Sequence, residues 1–261
     1  MTANFPFFDL TPGPDNFTIT KDLLTTLPGG LRALAGNDII TGSSNGDLVF
    51  GGTDSDSIVG GGGRDSLFGN EGIDNIFGDA DNDFLSGMQD DDLINAGDGD
   101  DLIRGGKGDD YLIGGSGNDT LIGDKGVNIS KGGDGNDVFV FRQDLLVGDT
   151  SDTITQTIPQ LILDFDPTTD FIGLSGGLTA AQLTISKQTV TPAQAFGAFL
   201  GSGRGTRFVQ EGLITTGSFD RDGNGVTEVT FIRVGATGPF VASIIDVTPE
   251  QVQSRFIQVN I

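Results

Sequence analysis

The chain has 261 residues, 43 of them Gly, with 37 acidic against 14 basic residues, a formal net charge of −23, and no Cys, His or Trp. Serine-hydrolase triads with a His base, zinc sites on His or Cys, Cys nucleophiles and disulfide frameworks therefore lack their raw material. So acidic a surface repels phosphate, which argues against nucleic acid as a partner, and no run of eighteen apolar residues offers a membrane span.

Residues 1 to 32 carry a net charge of −1. They show neither a basic n-region nor a continuous apolar h-region, so no cleaved N-terminal secretory signal is expected. Phe5, Phe7, Phe8, Phe17 and Ile19 are expected to cover the open end of whatever the next segment builds, because an uncovered β edge is sticky.

Residues 33 to 140 hold 22 acids against 5 bases, and 26 of the 43 glycines. Composition alone would describe a disordered, self-repelling linker. Periodicity says otherwise. From Ala33 the segment falls into twelve rows of nine without an insertion, running from ALAGNDIIT and GSSNGDLVF to GDKGVNISK and GGDGNDVFV. The sixth column reads Asp38, Asp47, Asp56, Asp65, Asp74, Asp83, Asp92, Asp101, Asp110, Asp119, then Asn128, then Asp137. The eighth column is apolar except at Ser130, and the first is Gly except at Ala33 and Ala96. Such a concentration of carboxylates suits a hard cation with oxygen ligands, above all Ca²⁺.

These rows resemble GGxGxDxUx, the nonapeptide of the RTX (repeats-in-toxin, hemolysin-type) calcium-binding proteins. The resemblance implies an all-β fold, a parallel β-roll in which each nonapeptide is a Gly-rich turn plus a short strand and two nonapeptides make a coil. Twelve rows give about six coils at the ~4.8 Å strand spacing. The aspartates then divide into two stacked files, Asp38 to Asn128 and Asp47 to Asp137. By resemblance, each Ca²⁺ lies between consecutive turns of a file, held by the aspartates of both turns and by carbonyls such as those of Gly105, Gly106, Lys107 and Gly108, or Gly114, Gly115, Ser116 and Gly117. Five intervals per file bound the number of ions at about ten. Asn128 removes a charge and Ser130 a core plug, so that row is expected to be distorted. The other acids, Asp79, Asp81, Asp90, Asp91, Asp98, Asp100 and Asp109, read as solvation. In the fourth column Asn45, Asp54, Asp81 and Asp90 replace Gly with the residue types that best tolerate a left-handed backbone. Phe50 and Phe68 are expected to stack on one outer face, covered by the chain's own C-terminal region or by a separate partner.

Residues 141 to 261 change character. The stretches 161–165, 171–175, 183–186, 207–210, 229–234 and 241–247 read as strands, and Thr179, Thr191 and Thr248 as caps of short helices. The segment resembles the region that follows RTX repeats, where strands cap the roll and an uncleaved C-terminal signal is read by a type I secretion apparatus. Asp220, Asp222 and Asn224 have the spacing of half an EF-hand loop, with Glu228 as a further ligand, but position twelve would be Phe231 instead of a bidentate Glu; a β-hairpin turn explains the same residues.

The expected organisation is an N-terminal cap (1–32), an RTX β-roll (33–140) and a β-rich capping and export region (141–261). The expected function is that of a secreted bacterial Ca²⁺-binding protein, folding outside the cell, with a structural or cell-surface role and no catalytic residues. Two alternatives stand beside it: an adhesin or glycan-binding exoprotein, and a polysaccharide-active enzyme using carboxylates of residues 141 to 261.

Overall fold

The computed structural model describes residues 7–21, 23, 29–142, 160–190, 218, 226–234 and 240–259. The period of nine becomes geometry directly. Each row delivers one strand, and consecutive rows alternate between two sheets. β3 (Leu31–Ala35), β5 (Leu48–Thr53), β7 (Ser66–Glu71), β9 (Phe84–Gln89), β11 (Leu102–Lys107), β13 (Thr120–Lys125) and β15 (Val138–Arg142) run side by side in one sheet. In the other lie β4 (Ile39–Thr41), β6 (Ser57–Gly61), β8 (Asn75–Ala80), β10 (Leu93–Asp98), β12 (Tyr111–Ser116) and β14 (Asn128–Asp134). All these pairings are parallel, and a residue meets the one eighteen positions on, as in Val49↔Leu67, Ile58↔Ile76 and Ile94↔Leu112. The chain is a parallel β-solenoid whose repeats make the expected six coils.

Period-two alternation in each short strand turns the eighth-column side chain inward. From Ile40 and Val49 through Ile94 and Ile103 to Leu121 and Phe139, this file has no exposed surface. Each such side chain contributes about 1.5–3 kcal/mol. Ser130 keeps its place in the file, opposite Leu112, and its Oγ accepts from Gln160 Nε2 at 2.8 Å. The row of Asn128 is therefore in full register, contrary to expectation: a hydroxyl supplied with a partner replaces the apolar plug without displacing the strand.

Both flanks join the same two sheets. β1 (Phe8–Asp9) pairs with β3 and β2 (Asn16–Thr18) with β4, adding a coil before the repeats. After them, β16 (Gln160–Ile162) and β17 (Phe171–Ser175) continue the two ladders in parallel. β20 (Phe240–Ile245) and β21 (Phe256–Gln258) follow on these in turn. β19 (Thr227–Val234) and β18 (Leu183–Val190) then add to β20 antiparallel, so one sheet ends in a meander. The expected strands at 171–175, 183–186, 229–234 and 241–247 are all present, the second of them longer than expected, and that at 161–165 is shorter. The stretch 207–210 and Thr191 lie outside the described residues. Thr248 caps a short helix, α1 (Pro249–Gln253), as its sequence implies, whereas Thr179 starts only a 3₁₀ turn, Ala180–Gln182.

The outer aromatics stack as expected but meet a different neighbour. Phe50 and Phe68 lie 4.9 Å apart and nearly parallel, and Phe84 continues the row edge-on at 5.5 Å. Phe7, from the N-terminal segment, packs edge-on against Phe50 at 6.0 Å, with the Arg32 guanidinium over its ring. Among the described residues the contact on this face thus comes from the N-terminus and not from the C-terminal region.

Because the interior is a single file of side chains with no second layer to collapse into a hole, truncation at its centre should be costly. Ile76→Ala is expected to lower the unfolding free energy by about 2–5 kcal/mol, measured by urea unfolding in saturating Ca²⁺.

Candidate metal centre: two files of buried aspartates

The first six residues of each row carry the chain from one sheet to the other, mostly the first three as the end of a strand and the next three as the bend, and their backbone explains the glycines. Positive φ recurs at the second and fourth columns, for example at Gly106 (φ 121°) and Gly108 (φ 141°). Where Gly is absent at the fourth column, Asp54, Asp81 and Asp90 adopt φ of 77°, 74° and 70°, a conformation that short polar side chains tolerate best. Asn45 does not; its turn differs from the others. First-column glycines serve another purpose. A Cβ on Gly51 would lie 2.4 Å from Asp56 Oδ2 and 2.7 Å from the Gly69 carbonyl oxygen of the next coil. The same coincidence of a carboxylate oxygen and a carbonyl occurs at Gly60, Gly105 and Gly114. The missing methyl leaves a small cradle lined by oxygen.

Into these cradles point the sixth-column aspartates. All eleven are buried, at 4 % exposure or less. One oxygen of ten of them, all but Asp47, is held by the backbone of the preceding coil: Asp38 N–H donates to Asp56 Oδ1 at 2.9 Å, Asp65 N–H to Asp83 Oδ1 at 2.8 Å, Asp101 N–H to Asp119 Oδ1 at 2.9 Å, and Asp119 N–H to Asp137 Oδ1 at 2.9 Å. The other oxygen, Oδ2, has no hydrogen-bond partner in Asp38, Asp56, Asp65, Asp83, Asp101, Asp110, Asp119 and Asp137. A buried carboxylate oxygen without a donor is costly. Burial accordingly pushes the carboxyl pKa up to about 7 at Asp56, Asp65 and Asp119, and to about 6 at Asp83 and Asp137, with like-charged neighbours adding to it and the backbone N–H donors opposing it. Asp110 is raised well above the ordinary range for the same first reason.

Buried anionic oxygens in pairs, carbonyl oxygens beside them and no nitrogen or sulfur ligand form a donor set that fits Ca²⁺. Among the described residues no three acids close into a cage, so the carboxylates of any one site need completion by carbonyls. Gly105, Gly106, Lys107 and Gly108, and Gly114, Gly115, Ser116 and Gly117, occupy two such turns at the ends of β11 and β12. The Ser116 carbonyl also accepts from Gly99 N–H at 2.8 Å.

Several of the remaining acids do more than solvate. Asp54, Asp81 and Asp90 accept from the N–H groups of Gly36, Gly63 and Gly72 in the preceding coil at 3.0–3.2 Å. Asp91, Asp100 and Asp109 accept from Asp109, Asn118 and Val127 in the following coil at 2.8 Å. The solvation reading thus misses their part in pairing turn N–H groups that no strand reaches. Bonding to Asn118 also holds the Asp100 carboxyl below its ordinary pKa. Asp220, Asp222 and Asn224 lie outside the described residues. Glu228 sits on β19, where its carboxylate pairs with Lys187 and its N–H donates to Asp246 Oδ1 at 3.0 Å.

Sequence reasoning missed two members of the files. Asp15 stands before Asp38, to which its N–H donates at 2.7 Å, and Asp170 stands after Asp137, whose N–H donates to it at 3.1 Å. A signal was present in both cases: Asp15-Asn16-Phe17 and Asp170-Phe171-Ile172 repeat the Asp-x-apolar triplet of columns six to eight.

A two-sheet parallel solenoid with buried, oxygen-lined aspartate files at its turns defines a calcium-binding β-roll. Residues 31–58, 59–94, 68–103, 95–130 and 104–139 match the family described as RTX calcium-binding nonapeptide repeat (4 copies), and Ca²⁺ is the ion such repeats bind. No curated protein matches the chain.

Protons and Ca²⁺ compete for the same oxygens. A carboxyl whose pKa is higher in the fold than in the unfolded chain makes the native state bind more protons, so the calcium-free fold loses stability as pH rises from about 4 to about 7. Calcium needs the deprotonated form. The Ca²⁺ midpoint for folding should therefore fall steadily between pH 5.5 and pH 8, measured by circular dichroism titrations at fixed ionic strength. A midpoint independent of pH would contradict this origin of the affinity.

Proposed function

We propose that this is a secreted protein whose repeat segment is a calcium-operated folding switch, unfolded and exportable at the low Ca²⁺ of a bacterial cytosol and folded at the millimolar Ca²⁺ outside. The observation that carries this reading is the file of aspartate oxygens buried without donors. Residues 33 to 140 bear a net charge of −17, from 22 acids and 5 bases. Their core is one side chain thick, and the charge opposes closure until cations bind. Binding free energy then becomes folding free energy.

The aspartates at 38, 56, 65, 74, 83, 92, 101, 110, 119 and 137 are the proposed side-chain ligands, with turn carbonyls completing each shell; Asp47 is left out because its Oδ2 accepts from Ser43 N–H in its own turn. The absence of Cys suits export in an unfolded form. Export through a type I apparatus reading the C-terminal region goes with this proposal, as does a division into N-terminal cap, roll and C-terminal cap. Outside the cell we assign the folded roll a structural or surface role without catalysis. The stacked row Phe7, Phe50, Phe68 and Phe84 favours one alternative, adhesion through this face; retention on cells in Ca²⁺ and release by chelator would support it.

The deciding measurement is circular dichroism of the full chain with and without chelator. Equal β content in both conditions would sink the proposal. Within it, Asp83→Ala, at the middle of its file, is expected to reduce the number of bound ions and to raise the Ca²⁺ midpoint several-fold. Asp98→Ala, on an exposed carboxylate, is expected to leave the midpoint near that of the unaltered chain.

A further inference from the structure

The second file continues past the repeats. Asp170 is 2 % exposed and stacks beyond Asp137 with the repeat geometry: Asp137 N–H donates to Asp170 Oδ1, and Phe171 N–H donates to the Asp137 carbonyl at 2.7 Å. The turn from Asp164 to Asp170 thereby lies over the turn from Gly132 to Asp137, as each repeat turn lies over the one before.

Within the repeats, the Oδ2 without a donor faces the following coil, because the carbonyl beside it belongs to that coil. Asp137 Oδ2 takes the same place against the first-column glycine of its own turn. It lies 2.2 Å from the point a Cβ on Gly132 would occupy, is fully buried and has no hydrogen-bond partner. The turn it faces is outside the repeats, and that turn brings in a carboxylate. Asp164 accepts from Gly132 N–H at 2.8 Å and from Gly133 N–H at 3.0 Å, one on each oxygen.

At the other end of this file the situation is reversed. Asp47 Oδ2 accepts from Ser43 N–H of its own turn at 2.7 Å. The atoms nearest a Cβ on Gly42 would be the Gly60 carbonyl group and the Val59 carbonyl oxygen, where at the first-column glycines of the other aspartate turns an oxygen of the turn's own aspartate comes first. The first interval of the file has a cradle of carbonyls, but its carboxylate is turned into its own turn. Asp164, which accepts at Gly132 N–H, instead keeps a second lone pair on each oxygen beside the cradle that holds Asp137 Oδ2.

We propose that the last calcium site of the second file lies beyond the repeats, between the turns Gly132–Asp137 and Asp164–Asp170, with the carboxylates of Asp137 and Asp164 as ligands. Asp170 positions the turn, and the interval between Asp47 and Asp65 holds no ion. The file keeps five ions but is displaced by one coil. This proposal rests on the reading of the files as calcium ladders.

Bound Ca²⁺ is to be counted by equilibrium dialysis on the full chain and on three single variants. Asp164→Asn should bind one ion fewer and need several-fold more Ca²⁺ to fold. Asp47→Asn, which keeps an oxygen for Ser43 N–H, should bind the unaltered number. Asp83→Asn, inside the ladder, should lose ions. If Asp164→Asn binds the full number at the unaltered midpoint while Asp83→Asn loses ions, the junction site is wrong and the ladder stands. If Asp83→Asn loses none either, the ladder itself fails. Should Asp164→Asn not fold, a crystal structure of the unaltered chain in Ca²⁺ decides. An ion about 2.4 Å from oxygens of both Asp137 and Asp164, with none between Asp47 and Asp65, upholds the proposal; a junction without an ion overturns it.

Discussion

Everything in this fold depends on like charges being stacked in register. A strict period of nine, two rows to a coil, places every sixth-column carboxylate above its equivalent eighteen residues away. At the ~4.8 Å strand spacing, two unit charges repel by about 3.5 kcal/mol for an effective dielectric of 20. An interior Ile or Leu returns about 1.5–3 kcal/mol. The two effects are of one size, so neither wins outright, and the outcome passes to whatever neutralises the carboxylates. A divalent ion between two of them changes the sign of the largest electrostatic contribution and also supplies the missing partners of the Oδ2 atoms.

The same constraint shapes the turn. Carbonyls must converge on the cradle, which requires a left-handed backbone at columns two and four and no methyl at column one. Gly satisfies both demands. Where the sequence leaves Gly at column four, the substitutes also gain from the stacking: Asp54, Asp81 and Asp90 accept from a turn N–H one coil back. The surplus acidity of the segment is thus partly a means of pairing backbone donors. Each such Asp nevertheless adds to the repulsion, which deepens the dependence on cations.

The repeat columns made most of this legible from sequence. Eleven aspartates in column six and eleven apolar residues in column eight gave the two-sheet roll, its interior file and the two carboxylate files. What stayed hidden lies where the period breaks. Asp15 is separated from Asp38 by 23 positions and Asp170 from Asp137 by 33, so neither falls in a row when the rows are laid out by nines. Leu10 and Phe165 stand in the first column of their rows in place of Gly, which removes the most visible mark of a turn. Register across these insertions is set by pairing of Phe17 with Ile40 and of Phe139 with Ile172, a long-range fact that local periodicity does not contain.

The ends of the files show why a ladder of this kind needs dedicated last rungs. An interior aspartate has a turn on each side and can share a cation with either. At the ends of the files the second oxygen is instead paired by the chain itself. Asp15 gives that oxygen to Thr11 N–H at 2.9 Å, Asp47 to Ser43 N–H and Asp170 to Asp166 N–H at 2.7 Å, each four residues back in its own turn. Asn128 ends the first file by another means: its Oδ1 accepts from Asp110 N–H, and its Nδ2 occupies the place beside Gly123 where an aspartate would offer an oxygen. An N–H from the chain or an amide in place of the carboxylate thus completes, at the ends, the shell that Ca²⁺ completes in the interior, so the length of the ion ladder is written into four residues and not into the repeat count.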